Sequence, residues 1–160
     1  MANPFALSRW FHRLGNAFVA PLFRLGPMPA GFVLLTVTGR KTGRSLTRPV
    51  RAVRRDDTLY AVALLGERSD WLRNARAKPE ITVKLGSRRF EAHVRELADP
   101  AERDAAADLF VREVVRFDYV DYTGYEWAVP TPRSIRDAHR RWLQKGTLVA
   151  IDLGRPLAKR

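Results

Sequence analysis

The sequence predicts an α+β domain built on an antiparallel sheet of about six strands that closes into a barrel, with helices on its flanks. Three observations carry this. Short β-branched runs recur with small polar turns between them. Helical stretches fall between hairpins, so the strand–helix alternation of a doubly wound parallel sheet is missing. At 160 residues the chain is the size of one domain, long enough to bury about 70% of its unfolded surface without a metal or disulfide. A sheet of six short strands exposes its edges unless it closes on itself.

The elements follow in order. Leu7, Trp10, Phe11, Leu14 and Phe18 recur at helical spacing opposite Arg9, His12, Arg13 and Asn16, so Pro4 to about Ala20 is expected to be an amphipathic helix, ended by Pro21. Residues 1–26 form this N-terminal unit and residues 30–155 the barrel domain. Such a helix either docks on the domain or rests its aromatic face and basic flank on an anionic membrane surface, through residues 4–24. Both readings stay open. After Gly26-Pro27-Met28-Pro29, the run Phe32 to Thr38 has the length and composition of a strand, and Gly39 and Gly43 bound the loop behind it. Arg48 to Arg54 and Thr58 to Leu65 flank Asp56-Asp57 as a hairpin. Ser69 is placed to cap a helix from Asp70 to about Ala77, stopped by Pro79. Ile81 to Leu85 and Arg88 to Val94 surround Gly86-Ser87, whose glycine suits the first central position of a type II′ turn.

Asp99-Pro100-Ala101-Glu102 combines a cap, a proline at the first helical position and an acid three residues after the cap, so a helix is expected from there to about Arg116. A tail with Tyr119, Tyr122, Tyr125 and Trp127 follows, then a Pro130-Thr131-Pro132 break. Ser134 to Lys145 reads as a helix and Thr147 to Leu153 as the last strand.

Composition excludes several kinds of chemistry. With no cysteine there is no disulfide scaffold, thiolate site or thiol nucleophile. His12, His93 and His139 are scattered, with no spacing that sets two on one helix face, and no metal is expected. A formal charge of +12 attracts anions: nucleic acid, an acidic membrane or a phosphorylated small molecule. The four tryptophans form no basic-aromatic stripe, so nucleic acid is not expected as a partner. The N-terminal apolar stretch is broken by Arg9, His12 and Arg13, which argues against a secretory signal and for a cytoplasmic protein, with peripheral membrane contact left open.

The most informative stretch runs from Leu34 to Pro49. It carries Arg40, Lys41, Arg44 and Arg48, and its two glycines let the backbone turn so that amides and side chains can face an anion. A solvated basic turn has the same composition. The residues alone do not choose between a phosphate cradle and such a turn.

The run Leu34 to Gly43, with Pro49, Ser69-Asp70-Trp71-Leu72-Arg73-Asn74 and Ala77-Lys78-Pro79, resembles the deazaflavin-dependent nitroreductase family across roughly Phe32 to Tyr122. The resemblance implies a split β-barrel related to the FMN-binding pyridoxamine phosphate oxidases. It also implies an oxidoreductase that passes a hydride from reduced coenzyme F-420 to an electron-poor acceptor, quinone-like or nitroaromatic. By position, Arg40, Lys41, Thr42 and Gly43 would hold the phosphate and acidic tail, with Thr47, Arg48, Pro49 and Val50 on the next strand. Ala63, Leu64 and Leu65 would contact the ring, and Asp70, Trp71 and Asn74 would approach from the short helix. Tyr119 matches a tail tyrosine over the substrate side and is the candidate for a hydrogen bond to a substrate oxygen.

Each position keeps a plainer reading. Trp71 suits a core aromatic, and Asn74 a residue that satisfies backbone groups. Leu46 and Leu64-Leu65 depart from the family, which often has a basic residue at the first position and a serine-lysine pair at the others. FMN is the alternative cofactor, because it too carries phosphate. The alternative function is a non-catalytic protein that binds deazaflavin, FMN, a lipid or a fatty acid at the membrane surface. The barrel is expected as a monomer or homodimer.

Overall fold

Six strands, β1 (Phe32–Thr38), β2 (Ser45–Arg55), β3 (Thr58–Ala63), β4 (Glu80–Leu85), β5 (Arg88–Glu96) and β6 (Thr147–Pro156), close into an antiparallel barrel in the spatial order β1-β2-β3-β6-β5-β4. This computed structural model describes residues 23–126 and 128–158, and for Tyr125 the backbone alone. The helix expected over Pro4 to Ala20, and most of the segment expected to meet a membrane, lie outside them. No described helix is long and apolar enough to cross a membrane.

Period-two alternation sets the layers. Val33, Leu35 and Val37 point into the barrel, where they meet Val83 and Ile151, and Leu72 and Ala75 of helix α1 (Asp70–Ala77) enter the same core. Phe32 and Leu34 turn outward to pack with Phe23, Met28, Val115 and Phe117. Helix α2 (Pro100–Arg112) lays Ala106 and Phe110 over Val53, Tyr60 and Ala150 on another outer face.

The barrel is split at one end. β3 pairs with β6 along its whole length, but with β2 only through Ala52 to Arg55. In the described pairing the first part of β2, Ser45 to Arg51, has β1 as its sole neighbour. Pro49 lies in that part, where a strand with a free edge tolerates the missing N–H. The β1–β2 loop and α1 stand at the same end.

Several boundaries differ from the sequence expectation. β2 starts at Ser45, not Arg48, because Leu46 and Thr47 pair with Val37 and Thr36. β3 stops at Ala63, before Leu64 and Leu65, because the chain turns through Gly66, at φ +53°. β6 continues to Pro156 along β5. Ser69 precedes α1 as expected, but its side chain makes no capping bond. Asp99 caps α2 through Ala101 N–H at 3.1 Å, whereas Glu102 bonds Arg95 at 2.7 and 2.9 Å instead of closing a capping box.

The largest correction concerns the segment from 112 to 126. α2 ends at Arg112, and the tyrosine-bearing tail is itself a helix, α3 (Arg116–Glu126). Asp118 takes the Val115 N–H at 2.7 Å, and Arg51 of β2 takes the Glu113 carbonyl at 2.8 Å, so a partner distant in sequence holds the break. Helix α4 starts at Pro132, two residues before the expected Ser134, because Thr131 and Ser134 cap it reciprocally.

Beneath α3 lies a buried charged cluster. Arg51 and Asp118 form a two-pronged pair at 2.7 and 3.2 Å. His139 of α4 is fully buried, 3.9 Å from Asp118 and against the backbone of Phe110 and Val111. Burial keeps this imidazole well below its ordinary range, against the pull of Asp118.

Burial first, then the neighbouring Asp118, push Asp121 up to about 7, with Arg51 opposing. A carboxyl raised from about 3.9 in the unfolded chain contributes stability that is fully present below about pH 4 and is lost progressively as pH rises from there to about 7. Asp121→Asn should therefore flatten the fall in melting temperature between about pH 4 and pH 7. Identical pH profiles for variant and parent would refute this.

Candidate functional site

The β1–β2 loop is a tight hairpin turn with most of its amides already used. Gly39 N–H donates to the Arg44 carbonyl at 2.8 Å, and Gly43 N–H to the Gly39 carbonyl at 2.7 Å. Arg44 N–H reaches Thr42 Oγ1 at 3.3 Å, and Arg40 N–H reaches Asn74 Oδ1 at 3.1 Å. Gly43 sits at φ +66°, where a side chain is strained. The expected cradle of many amides is thereby reduced to those of Lys41 and Thr42, and side chains must do most of any anion binding.

Asn74, 3% exposed, fastens this loop to α1. Its Oδ1 also accepts from Arg40 Nη1 at 2.8 Å, while Arg40 Nη2 donates to Asp70 Oδ1 at 3.2 Å. Between loop, strand and helix lies an open pocket of about 280 Å³. Arg40, Lys41 and Thr42 line it from the loop, Val37 from β1, Leu46 and Arg48 from β2, and Asp70, Trp71 and Asn74 from α1. Lys41 and Arg48 are exposed cations. Trp71 is half-buried and combines both readings, packing on the barrel core while forming a pocket wall.

Seven of the expected site residues thus meet in one place: Arg40, Lys41, Thr42, Arg48, Asp70, Trp71 and Asn74. Gly43 shapes the loop without lining the pocket. Val50 packs on the core beneath, while Thr47 and Pro49 pair with the outward residues Thr36 and Leu34 of β1. Ala63 is fully buried, and Leu64 and Leu65, 36% and 64% exposed, stand beyond the end of β3 at the split. Tyr119 does not reach the pocket. It packs with Tyr122, Ile135 and Ala138 between α3 and α4, because the tail folds as a helix.

Val37 and Leu46 join the pocket lining beyond the residues expected from the sequence. The signal was available in the alternation that points Leu46, Arg48 and Val50 to one side of β2. A second depression of about 680 Å³ crosses the outer barrel face at Thr82, Glu91, His93 and Asp152. Its Glu91 and Asp152 are paired with Arg155 and Arg95, and its acidic lining suits a phosphate poorly.

Residues 9–136 match the family model described as F420H(2)-dependent quinone reductase. No curated protein matches the sequence. A solved F420-H2 dependent reductase shares the fold at a TM-score of 0.52 and 21% identity, over 80% of this chain and 97% of that one. A domain-swapped dimer does so at 0.55 and 17%, over 88% and 98%. A Bacteroides thetaiotaomicron protein named for 5-nitroimidazole antibiotic resistance does so at 0.50 and 12%, over 79% and 75%.

Proposed function

The chain belongs to the F420H(2)-dependent quinone reductase family, and from that premise we propose that the pocket between the β1–β2 loop and α1 receives the phosphate-bearing end of coenzyme F-420. Family membership makes the protein an oxidoreductase with that coenzyme as its reductant. The observation that carries the reading is the convergence of two exposed cations, Lys41 and Arg48, with the Trp71 ring in one open pocket. The donor set fits: an ammonium, a guanidinium and the Thr42 hydroxyl all stabilise phosphate oxygens.

When bound, the coenzyme supplies the carbon that gives up a hydride. The protein's share is binding and orientation. Lys41, Arg48 and Thr42 hold the anionic end, and the Trp71 face limits where a flat ring lies. Leu64 and Leu65, exposed beside the split, offer apolar surface to ring or acceptor. No side-chain acid or base is required for the transfer, and Tyr119, half-buried between α3 and α4 and outside the phosphate-end pocket, is kept as the candidate for a hydrogen bond to an acceptor oxygen.

We read the acceptor as an electron-poor quinone. Two electrons and a proton pass to it as hydride, and a further proton comes from solvent. The lipid-carrier reading has less support, because Leu35, Leu59, Val83 and Ile151, each at most 1% exposed, fill the barrel interior. Anaerobic mixing of the protein with reduced coenzyme and a soluble benzoquinone is expected to regenerate oxidised coenzyme at a rate set by both substrates. Failure of the protein to accelerate this with any quinone or nitroaromatic acceptor would overturn the assignment.

A further inference from the structure

We propose that Asp70 is a built-in competitor for the anion site: its carboxylate stands against the Arg40 guanidinium where a phosphate oxygen of the coenzyme is to bind, and is displaced by it. The inference rests on the pocket being the phosphate end of the coenzyme site and adds how access to it is controlled.

The two partners of Arg40 differ in kind. Asn74 is neutral and buried, and holds both the backbone N–H and Nη1 of Arg40, at 3.1 and 2.8 Å. It keeps the guanidinium in place whether or not other ligands are present. Asp70 makes one contact, Nη2 to Oδ1 at 3.2 Å, and its side chain is 80% exposed against 22% for Arg40. Two pairs elsewhere in the molecule that hold elements together look different, whereas Arg54–Asp57 is a similarly exposed single contact. Arg51 grips both oxygens of Asp118, and Arg95 both oxygens of Glu102. A single, long, exposed contact is the weak form of an arginine–carboxylate pair.

A carboxylate in the wall of a pocket otherwise lined by Lys41, Arg40 and Arg48 opposes anion entry. Its release is easy to accommodate. Asp70 is the first residue of α1, where negative charge is favoured by the helix dipole, and Ser69 makes no side-chain capping bond there. Once freed from Arg40, the carboxylate remains beside favourable N–H groups. The guanidinium then presents its fork to a phosphate, which Lys41 and Arg48 grip from the other walls. A small free anion gains too little from that grip to displace Asp70, whereas the coenzyme adds contacts along its ring.

The test compares Asp70→Asn with the parent by isothermal titration calorimetry, using oxidised coenzyme F-420 and, separately, inorganic phosphate. Asparagine at this position keeps the local shape and removes the charge. The variant is expected to bind inorganic phosphate about tenfold tighter and the coenzyme severalfold tighter. Asn74→Ala, which frees Arg40, should weaken both. Unchanged or weaker binding of both probes by Asp70→Asn, with the parent melting temperature retained, would overturn the proposal. A parent that fails to bind the coenzyme sinks the cofactor assignment instead, and the phosphate titrations still decide whether Asp70 competes for an anion.

Discussion

Asp118→Ala is expected to cost the fold about 3–5 kcal/mol, the range for breaking a buried ion pair from one side. The side chains of Arg51 and Asp118 are 5% and 1% exposed. All five guanidinium N–H groups of Arg51 are used, two on Asp118 and three on the carbonyls of Gly31, Ala52 and Glu113. Removing the carboxylate strands a positive charge that water cannot reach. It also frees the Val115 N–H that starts α3, so the loss should appear as detachment of α3 before the barrel opens. Replacing both partners by apolar residues of similar volume, Arg51→Met with Asp118→Leu, should recover much of the stability, since the desolvation of both charges is then avoided. Urea denaturation measures this. A loss below about 1 kcal/mol for Asp118→Ala would mean the pair is solvated in solution.

The second large effect is on binding. Lys41→Glu combined with Arg48→Glu should weaken coenzyme F-420 by about a hundredfold or more, near 3 kcal/mol, because two charge-assisted contacts are lost and two repulsions replace them. Both side chains are exposed, so the figure sits at the low end for such contacts, and it should shrink as salt is raised. Neither residue takes part in the core, and the melting temperature should hold. Weakening without a salt dependence would point to a changed loop in place of a lost charge. Trp71→Ala would act differently, since Trp71 packs on the barrel core as well as lining the pocket and its removal disturbs stability and binding together.

Much of the fold was legible in the sequence. The strand Phe32 to Thr38 and the helix Asp70 to Ala77 match their observed bounds, because a β-branched run between glycines and an acid-led run before Pro79 are local signals. The turn at Gly86 is likewise local, with φ at +57°. What stayed hidden was set by partners far along the chain. The break between α2 and α3 depends on Arg51, some sixty residues upstream. Lys84 gave no sign that its ammonium would be buried against the carbonyls of Phe23, Arg24 and Gly26, tying the exit of the N-terminal segment to β4.

For the site, motif and spacing brought together the loop, Arg48 and the face of α1. Tyr119 was different. A tyrosine in an unassigned tail has no direction until the tail is known to be helical, and the helix turns it toward α4. The sequence directs Asn74 and Asp70 toward a ligand, whereas in the structure each holds Arg40, a side chain-to-side chain relation that sequence cannot express. The loop amides illustrate the same limit, since the turn that the glycines permit consumes the N–H groups they were expected to offer.

The claim on which the functional reading depends is that the loop from Gly39 to Arg44 and the facing turn of α1 form the anion end of a coenzyme site. Calorimetric titration of oxidised coenzyme F-420 into the parent protein and into the Lys41→Glu, Arg48→Glu variant tests it most directly. The expected result is saturable binding by the parent, weakened by salt, and a loss of about a hundredfold or more in a variant that melts at the parent temperature. Saturable binding of equal strength by both proteins would place the coenzyme elsewhere, and the absence of binding by the parent would contradict the account.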